Sequence, residues 1–516
     1  MIQDYGKLSF YEIYPITFND SNGDGLGDIE GIIQKLDYVK SLGFTGIWVN
    51  PFYLSPFRDG GYDISDPFHI DPKFGTDDDA KRLIDACHER GLAIFFDLVP
   101  GHLSWDSPLF LKSASSARNE ESDTFIWTDT PWDWCPECAG NLVRGLFPRY
   151  GSFYINYFVH QPALNYGFNR IDYPAWQIYY RDERCSRARH LLASIMIRWL
   201  KLGVDGFRCD MADSLVKNDD EKEATIWVWQ QVREEVEREC GKFFMVSEWS
   251  TPRRSLKATF DSDFVLEHDD NFSHGFFRLG TNPENKREAG KSPLLHKFDQ
   301  ESWDYNSKEM LSEIRDAENL PGRWLSPISG NHDTYRIADG LEGDELKLAY
   351  LMIFTLPGVP FVFAGDECGQ KTLVGYPSKD GGYQRTGTRL HMRWDDSTPS
   401  FGFSSRNEPD CYLPSHPEMP TVERCEKDPE SLLNFIRKLN QLRSEDPDLT
   451  LHEGFELFEA PLSYRRGKTV VAMNLKDQDL VLDLGDGELL LTVGKAQVEG
   501  GHIILPTHAA VVYRQK

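Results

Sequence analysis

The chain has 516 residues, and at about 150 residues per domain this length corresponds to three domains or to one large barrel with additions. Hydrophobic residues make up 40% of the chain and charged residues 27%, so it can bury a large core and disorder is not expected. The net charge of −26 would repel nucleic-acid backbones and anionic membranes, so we expect a neutral or cationic ligand instead.

Strand and helix patterns alternate along most of the chain. The first part reads as a β-rich segment, a helix, a strand, a helix and a buried strand, at Leu8–Phe18, Ile29–Leu42, Thr45–Val49, Asp77–Arg90 and Leu92–Val99. The later units are helices at Arg187–Leu202, Asp219–Cys240, Lys308–Ala317 and Glu345–Phe354, with strands at Val204–Arg208, Phe243–Ser247, Phe264–Leu266, Trp324–Ser329 and Phe361–Ala364. Strands separated by helices indicate a parallel sheet, and about eight of them favour a closed (β/α)8 barrel.

Two regions interrupt this alternation. His102–Asp182 is aromatic, irregular and too long for an ordinary loop, so we predict a B subdomain inserted after the third strand. From Leu451 onward, six short alternating runs predict an antiparallel β-sandwich. The predicted division is therefore barrel residues 1–101 and 183–450, inserted subdomain 102–182 and C-terminal domain 451–516.

The chain carries no visible export signal or membrane span. Met1–Phe10 lacks a basic and apolar leader, and no stretch reaches about 18 uninterrupted apolar residues. The nine cysteines are scattered and odd in number, so we expect reduced thiols. We also expect a cytoplasmic location and a monomer or small homo-oligomer. Cys135 and Cys138 have no partner pair at zinc spacing, which argues against a metal or redox role.

Polar residues follow several of the predicted barrel strands. In such a barrel the active site lies at the carboxyl ends of the strands. Each residue alone could be a helix cap, but their joint occurrence on successive strand ends predicts one active site. The residues concerned are Tyr62, Asp63, Asp97, His102, Arg208, Asp210, Glu248, His332 and Asp333.

Carboxylates around an uncharged pocket suit the cleavage of acetals. Two acids on either side of a glycosidic bond can act as nucleophile and general acid. The chain has no G-x-x-x-x-G-K-[ST] phosphate-binding loop and no G-x-S-x-G nucleophile motif, which argues against phosphoryl and acyl transfer.

These strand-end segments resemble the signature segments of the α-amylase superfamily of retaining glycoside hydrolases, family 13. Gly43–Pro51 at the second strand and Gly358–Glu367 at the eighth extend the resemblance, which covers nearly the whole chain. It implies an enzyme that needs no organic cofactor. It also implies a nucleophile, a general acid/base and a transition-state stabiliser, which are Asp210, Glu248 and Asp333. Arg208 would keep Asp210 ionised, His102 and His332 would bind sugar hydroxyls, and Tyr62 would stack on the sugar.

A loop before the first helix places oxygen atoms at alternate positions. The residues are Asp20, Asn22, Asp24, Leu26 (through its carbonyl) and Asp28. Oxygen ligands of this type bind Ca²⁺, although Gly31 at the twelfth position excludes an EF-hand. A similar loop occurs in the oligo-1,6-glucosidase and α-glucosidase branch of the family. The alternative is a turn rich in Asp, Asn and Gly.

Further segments resemble the same branch. Gln161–Asn165 is similar to its QPDLN signature, and Arg389–Asp395 to its RTPMQWD segment. In that branch, residues matching Asp63 and Arg389 clamp the non-reducing end of the sugar, which implies exo-action on short oligosaccharides. Gly101 and Ala163 depart from the family pattern, and Met211 leaves the linkage preference open. Trp127, Trp132 and Trp134 could form an acceptor platform, but we favour subdomain core.

The leading hypothesis is a retaining exo-α-glucosidase that hydrolyses short α-glucosides. One alternative passes glucose from the same covalent intermediate to a sugar acceptor, as trehalose synthases, sucrose isomerases and amylosucrases do. Another is a non-catalytic family member that acts as a binding partner. Such members lack the acids and usually carry a membrane helix, so the three acids present here argue against it.

Overall fold

The computed structural model describes residues 5–136, 138, 140–266, 272–379, 381, 384–458 and 462–516. Eight parallel strands lie within these ranges, namely β1 (Phe10–Ile13), β2 (Gly46–Val49), β3 (Ala93–Leu98), β4 (Gly206–Cys209), β5 (Phe244–Ser247), β6 (Ser262–Val265), β7 (Trp324–Pro327) and β8 (Phe361–Phe363). They form a nearly closed barrel and pair in the order β7-β6-β5-β4-β3-β2-β1-β8. An isolated parallel bridge between Ile328 and Phe361 joins the two edge strands. The predicted (β/α)8 barrel is therefore confirmed.

Helices connect the strands and cover the outside of the barrel. They are α1 (Ile29–Ser41), α2 (Asp77–Glu89), α3 (Pro108–Ser113), α4 (Ser186–Leu202), α5 (Glu223–Cys240), α6 (Pro252–Ser255), α7 (Phe272–Phe277), α8 (Gln300–Glu318), α9 (Gly343–Thr355), α10 (Val422–Lys427) and α11 (Leu432–Glu445). The start of α2 shows how the sequence determines these boundaries. Thr76 and Asp79 form a reciprocal capping box, and three aspartates in the first turn favour the positive end of the helix dipole.

Aromatic side chains fill the barrel interior. Phe10, Trp48, Phe95, Phe244 and Phe361 pack there and are almost fully buried. Gly206 at the start of β4 allows the strands to approach, because a Cβ there would lie 2.4 Å from the Phe244 carbonyl oxygen. This apolar plug closes the barrel centre, so polar chemistry is confined to the strand ends.

The segment between β3 and α4 carries α3 and an antiparallel pair, Leu142–Arg144 with Ser152–Tyr154. Trp127 is buried there, as expected for a core residue, but Trp132 and Trp134 are 73% and 70% exposed, so the prediction of core is wrong for both. Cys135 and Cys138 form a disulfide. The expectation of reduced thiols is therefore wrong for this pair, because a turn with a Cys138 N–H to Cys135 C=O bond brings the two sulfurs together.

The C-terminal region folds into two antiparallel sheets, as predicted. Its strands are β9 (Phe455–Leu457), β10 (Ser463–Arg466), β11 (Thr469–Asn474), β12 (Leu480–Asp483), β13 (Gly487–Val493), β14 (Gln497–Glu499), β15 (His502–Leu505) and β16 (Ala509–Gln515). Five strands pair in the order β9-β10-β11-β16-β13 and three in the order β12-β15-β14. Ala472, Ile503, Leu505 and Val511 are buried in the core shared by the two sheets.

None of the helices in the described part of the chain has the length and hydropathy that a membrane crossing requires.

Candidate active site

The predicted strand-end residues meet at one mouth of the barrel. Asp97 and Arg208 are register partners on the neighbouring strands β3 and β4. Asp210 comes two residues after Arg208, so both side chains point to the same face of the strand. Glu248 follows β5 directly, and Asp333 lies in the loop after β7. Parallel strands therefore deliver all five side chains to one end of the barrel.

Arg208 is the centre of this cluster and is fully buried. Its Nη1 atom lies 2.9 Å from Asp97 Oδ1 and 2.9 Å from Asp210 Oδ1. Its Nη2 atom lies 2.7 Å from Glu248 Oε1. One guanidinium thus holds the carboxylates of Asp210 and Glu248 beside each other, through a charge-assisted hydrogen bond to Asp210 and an ion pair with Glu248.

The two carboxylates share their electrostatic environment. Burial raises the pKa of the Asp210 carboxyl, Arg208 opposes this shift, and Glu248 adds to it, so the pKa lies well above its ordinary value. Two carboxylates so close together disfavour double ionisation. The pair therefore disfavours two negative charges, which suits a reaction with one nucleophile and one proton donor.

Asp333 has the opposite charge environment. Burial raises the pKa of its carboxyl, but Arg385, His332 and Arg389 outweigh burial and hold the pKa well below the usual range. Arg385 Nη1 lies 2.9 Å from Asp333 Oδ1, and His332 Nε2 lies 3.3 Å from Asp333 Oδ2. Asp333 is therefore a fixed negative charge at the mouth.

His332 lies between two carboxylates. Burial lowers the pKa of its imidazole, but Asp333 and Glu12 outweigh burial and raise it to about 9. Its Nδ1 atom lies 3.0 Å from Glu12 Oε1. The ring is therefore a buried imidazolium at neutral pH, and it stacks on the Tyr62 ring with centroids 4.9 Å apart.

Tyr62 forms one wall of the site. Its hydroxyl donates to Asp97 Oδ2 at 2.9 Å and accepts from Asn50 Nδ2 at 3.1 Å. Burial raises the pKa of its phenol well above the ordinary value, so the hydroxyl stays protonated. With both sides of the hydroxyl engaged and the ring stacked on His332, Tyr62 is a rigid surface.

A cavity of about 790 Å³ opens above these residues. Five predicted site residues line it, namely Tyr62, His102, Asp210, Glu248 and Asp333. Arg208, His332 and Arg389 lie behind the lining and are fully buried. They contact the lining residues Asp210, Tyr62 and Asp333 respectively. They therefore influence the charge and the position of those lining side chains.

Asp63 does not line the cavity, which differs from the predicted role. Its carboxylate is buried and accepts hydrogen bonds from the Ser55 hydroxyl and from the backbone N–H groups of Arg58 and Asp59. These bonds close its own loop. Asp59, four residues earlier, lines the cavity instead, and burial raises the pKa of the Asp59 carboxyl to about 6.

Two arginines approach Asp333: Arg385 comes shortly before the RTPMQWD-like segment, and Arg389 is the first residue of that segment. Arg389 Nη2 lies 2.5 Å from Asp333 Oδ1, and its Nε donates to the His332 carbonyl at 2.8 Å. Arg385 bridges Asp333 and Asp59 and itself lines the cavity. The sequence predicts Asp63 and Arg389 as the pair at the cavity surface. Asp59 and Arg385 line the cavity instead.

Several other site residues were not singled out from the sequence. Glu12, Trp48 and Asn50 form hydrogen bonds to His332, Asp97 and Tyr62 respectively. The one sequence feature that could have identified these residues is their position at or near the carboxyl end of a barrel strand. Cavity residues from the loop after α7, such as Glu284 and Glu288, carried no such signal.

The predicted metal loop uses its oxygen atoms to order its own backbone. Asp20 accepts from the N–H groups of Gly23 and Gly25, both at 2.8 Å. Asp28 caps α1 by accepting from Gly31 N–H. No group of three or more His, Cys, Asp or Glu side chains among the described residues is arranged to hold a metal ion. The donor set nevertheless consists of oxygen atoms alone, which fits a hard cation such as Ca²⁺.

Comparisons with known proteins agree with this architecture. Residues 12–452 match the family model described as alpha amylase, catalytic domain. The chain is 27% identical over 577 residues to an oligo-1,6-glucosidase of Bacillus cereus, with 98% of each chain covered. It is 28% identical over 502 residues to a trehalose synthase/amylase of Mycobacterium tuberculosis, covering 85% of this chain and 74% of that relative. The crystal structure of Bacillus licheniformis trehalose-6-phosphate hydrolase superposes with a TM-score of 0.78 at 23% identity over 99% of both chains, which shows a shared fold.

Proposed function

The chain belongs to the α-amylase family of glycoside hydrolases, and we propose that it is a retaining, exo-acting α-glucosidase that hydrolyses short α-glucosides. The observation that carries this proposal is the shared guanidinium of Arg208, 2.9 Å from Asp210 and 2.7 Å from Glu248. Retaining enzymes hold their two carboxyl groups about 5–5.5 Å apart, closer than the roughly 6.5–9.5 Å of inverting enzymes. Carboxylates on one guanidinium favour the closer arrangement.

In the first step, an Asp210 carboxylate oxygen attacks the anomeric carbon. The bond from that carbon to the glycosidic oxygen breaks, and Glu248 gives its proton to the departing oxygen. A covalent glucosyl ester on Asp210 results. Asp333, held ionised by its cationic neighbours, would accept hydrogen bonds from sugar hydroxyls as positive charge develops on the ring.

In the second step, Glu248 takes a proton from water, and the water oxygen attacks the anomeric carbon. The ester bond to Asp210 breaks, and the two inversions give net retention. Tyr62 supplies a flat surface against which the sugar ring can pack. His102 lines the cavity near Tyr62, and His332 stacks on the Tyr62 ring from behind the lining. Asp59 and Arg385 would bind the non-reducing end in the role first assigned to Asp63 and Arg389, which supports release of one glucose unit at a time.

A substrate panel tests this proposal. Maltose, isomaltose, sucrose and trehalose would be incubated with the enzyme, and the products identified at early times. We expect glucose to be released from at least one of them, and no release by Asp210→Asn. A panel without hydrolysis of any α-glucoside would contradict the proposal.

Glucosyl transfer is the second candidate, and the similarity to a trehalose synthase/amylase favours keeping it. It uses the same intermediate but gives the glucose to a sugar hydroxyl instead of water. The same panel separates the two, because an isomerised disaccharide would appear in place of free glucose. The remaining alternative, a non-catalytic binding partner, would leave every substrate intact.

We also propose that the loop of Asp20, Asn22, Asp24, Leu26 and Asp28 binds Ca²⁺ and ties the start of α1 to the barrel. The ion would be structural, because the loop residues are absent from the cavity lining. Chelation should lower the melting temperature and remove bound metal, while Asp24→Asn should weaken both responses. Unchanged stability and metal content after chelation would support the alternative of a metal-free turn.

The cytoplasmic location, the oligomeric state and the domain boundaries at residues 102, 183 and 451 stay predictions.

A further inference from the structure

A chain of hydrogen bonds runs from outside the cavity to the cavity wall. Lys217, in the loop after β4, places its Nζ 2.9 Å from Asn156 Oδ1 and 2.6 Å from the Ser214 carbonyl oxygen. The Asn156 Nδ2 atom lies 3.2 Å from His102 Nδ1. His102 Nε2 lies 3.1 Å from the Tyr62 carbonyl oxygen. Neither Lys217 nor Asn156 lines the cavity, whereas His102 and Tyr62 do.

The chemistry of the donors determines which atom donates and which accepts in each hydrogen bond of this series. A lysine ammonium has only donors, so the Asn156 atom that faces it must be the carbonyl oxygen. The amide nitrogen then faces His102, and since it too can only donate, His102 Nδ1 must accept. The ring proton is therefore on Nε2, which donates to the Tyr62 carbonyl. Each donor in the chain thus meets an acceptor.

We propose that Lys217 and Asn156 are positioning residues that hold His102 as the neutral Nε2–H tautomer, whose N–H donates to the Tyr62 carbonyl and so fixes the imidazole ring at the cavity wall. This assignment also explains Gly101, which departs from the family pattern. A Cβ at residue 101 would lie 2.6 Å from the Asn156 amide nitrogen. A side chain at residue 101 would therefore push the Asn156 amide away from His102.

The electrostatics agree with this arrangement. Burial lowers the pKa of His102 to about 3, so the ring is neutral at any working pH of the enzyme. Burial also lowers the pKa of Lys217, to about 8, and Asp213 opposes that shift. Lys217 is therefore still mostly an ammonium at neutral pH. His160 and Lys217 are the titratable groups that act on His102, and both disfavour its protonation.

The direct test is the tautomer itself. In protein labelled with ¹⁵N in its histidine rings, NMR should show His102 Nδ1 as unprotonated and Nε2 as protonated, with His102→Gln used to assign the signal. Lys217→Met should mix the tautomers, and Lys217→Arg should restore the wild-type signal. Lys222→Met is the matched control, because Lys222 in the same loop contacts Asp213 instead of Asn156. A protonated Nδ1 in the wild type would overturn the proposal.

The kinetic test rests on the proposed function, whereas the NMR test does not. Lys217→Met, Asn156→Ala and Gly101→Ala should each lower kcat/KM roughly five- to tenfold, as for one disturbed hydrogen bond. The double variant Gly101→Ala/Asn156→Ala should lose no more than Asn156→Ala alone, since it removes the amide that the new methyl group displaces. Additive losses, or Lys217→Met behaving like Lys222→Met in both tests, would overturn the proposal.

Discussion

At the scale of single residues, Arg208 determines the charge of the site. Its guanidinium contacts Asp97, Asp210 and Glu248, three carboxylates that the barrel would otherwise bury beside each other without compensation. An unpaired buried carboxylate tends to take up a proton. The arginine therefore opposes that protonation and favours a negative charge beside the position where the anomeric carbon would lie.

Replacement of the nucleophile tests this assignment. Asp210→Asn retains the shape of the side chain but removes the attacking carboxylate, so kcat should fall by at least roughly a thousandfold while the protein remains folded. Asp213→Asn is the control, since Asp213 lies three residues away and contacts Lys222. Comparable activity of both variants in a glucose-release assay would contradict the assignment.

His332 makes folding stability depend on pH. Its pKa is raised from 6.5 to about 9 in the folded protein, so its stabilising effect is complete below pH 6.5 and is lost as pH rises through 9. Its size is about 3 kcal/mol. Urea unfolding should show His332→Gln less stable than wild type at pH 6, with the gap closing by pH 10. A gap that stayed constant between pH 6 and pH 10 would contradict this expectation.

The sequence predicts most of the site but misses parts of it for a geometric reason. The three acids could be found because each follows a barrel strand, and strand ends converge. Asp59 could not be distinguished from Asp63, because both lie in one loop and only the folded turn decides which carboxylate faces the cavity. Asp63 closes the turn and Asp59 is left facing the cavity.

At the scale of elements, the barrel strands and helices were predictable because buried runs and helical periodicity are strong signals. Strands β10 and β14 were missed in the C-terminal domain. The sequence of β10, Ser-Tyr-Arg-Arg, has a single apolar residue, and β14 has three residues only. These two segments are strands because neighbouring strands pair with them, not because their own residues show a strand pattern. Helix α11 was also missed, although it packs against α9.

The start of α1 offers a test at this scale. Asp28 accepts from Gly31 N–H and thereby caps the helix. Asp28→Ala should lower the free energy of unfolding by about 1 kcal/mol through the lost cap alone. If the loop binds Ca²⁺, chelation should no longer lower the melting temperature of this variant. Asp299→Ala, which removes the equivalent cap of α8, should lose similar stability and keep the chelation response.

At the scale of the whole molecule, the negative charge of −26 extends into the active site. Six carboxylate side chains line the cavity, namely Asp59, Asp210, Glu248, Glu284, Glu288 and Asp333. Arg385 is the one Lys or Arg among the lining residues in the described part of the chain, and it is already paired with Asp59 and Asp333. Such a cavity disfavours anions, because repulsion adds to the cost of stripping water from the ligand.

Phosphorylated sugars should therefore bind weakly. We expect the inhibition constant of glucose 6-phosphate to exceed that of glucose at least about tenfold, with the gap narrowing as salt is added. Glu284→Gln should further reduce the difference between the two inhibition constants, because this variant removes one charge from the cavity lining. Equal inhibition by the two sugars would show that the cavity charge does not select the ligand.

The proposed function requires that the glucosyl group passes through a covalent ester on Asp210. Proton NMR of the first turnovers of an α-glucoside tests this step, because it identifies the anomer released before mutarotation. We expect α-glucose, the product of two inversions. Release of β-glucose would mean direct attack by water, and would contradict a covalent intermediate on Asp210.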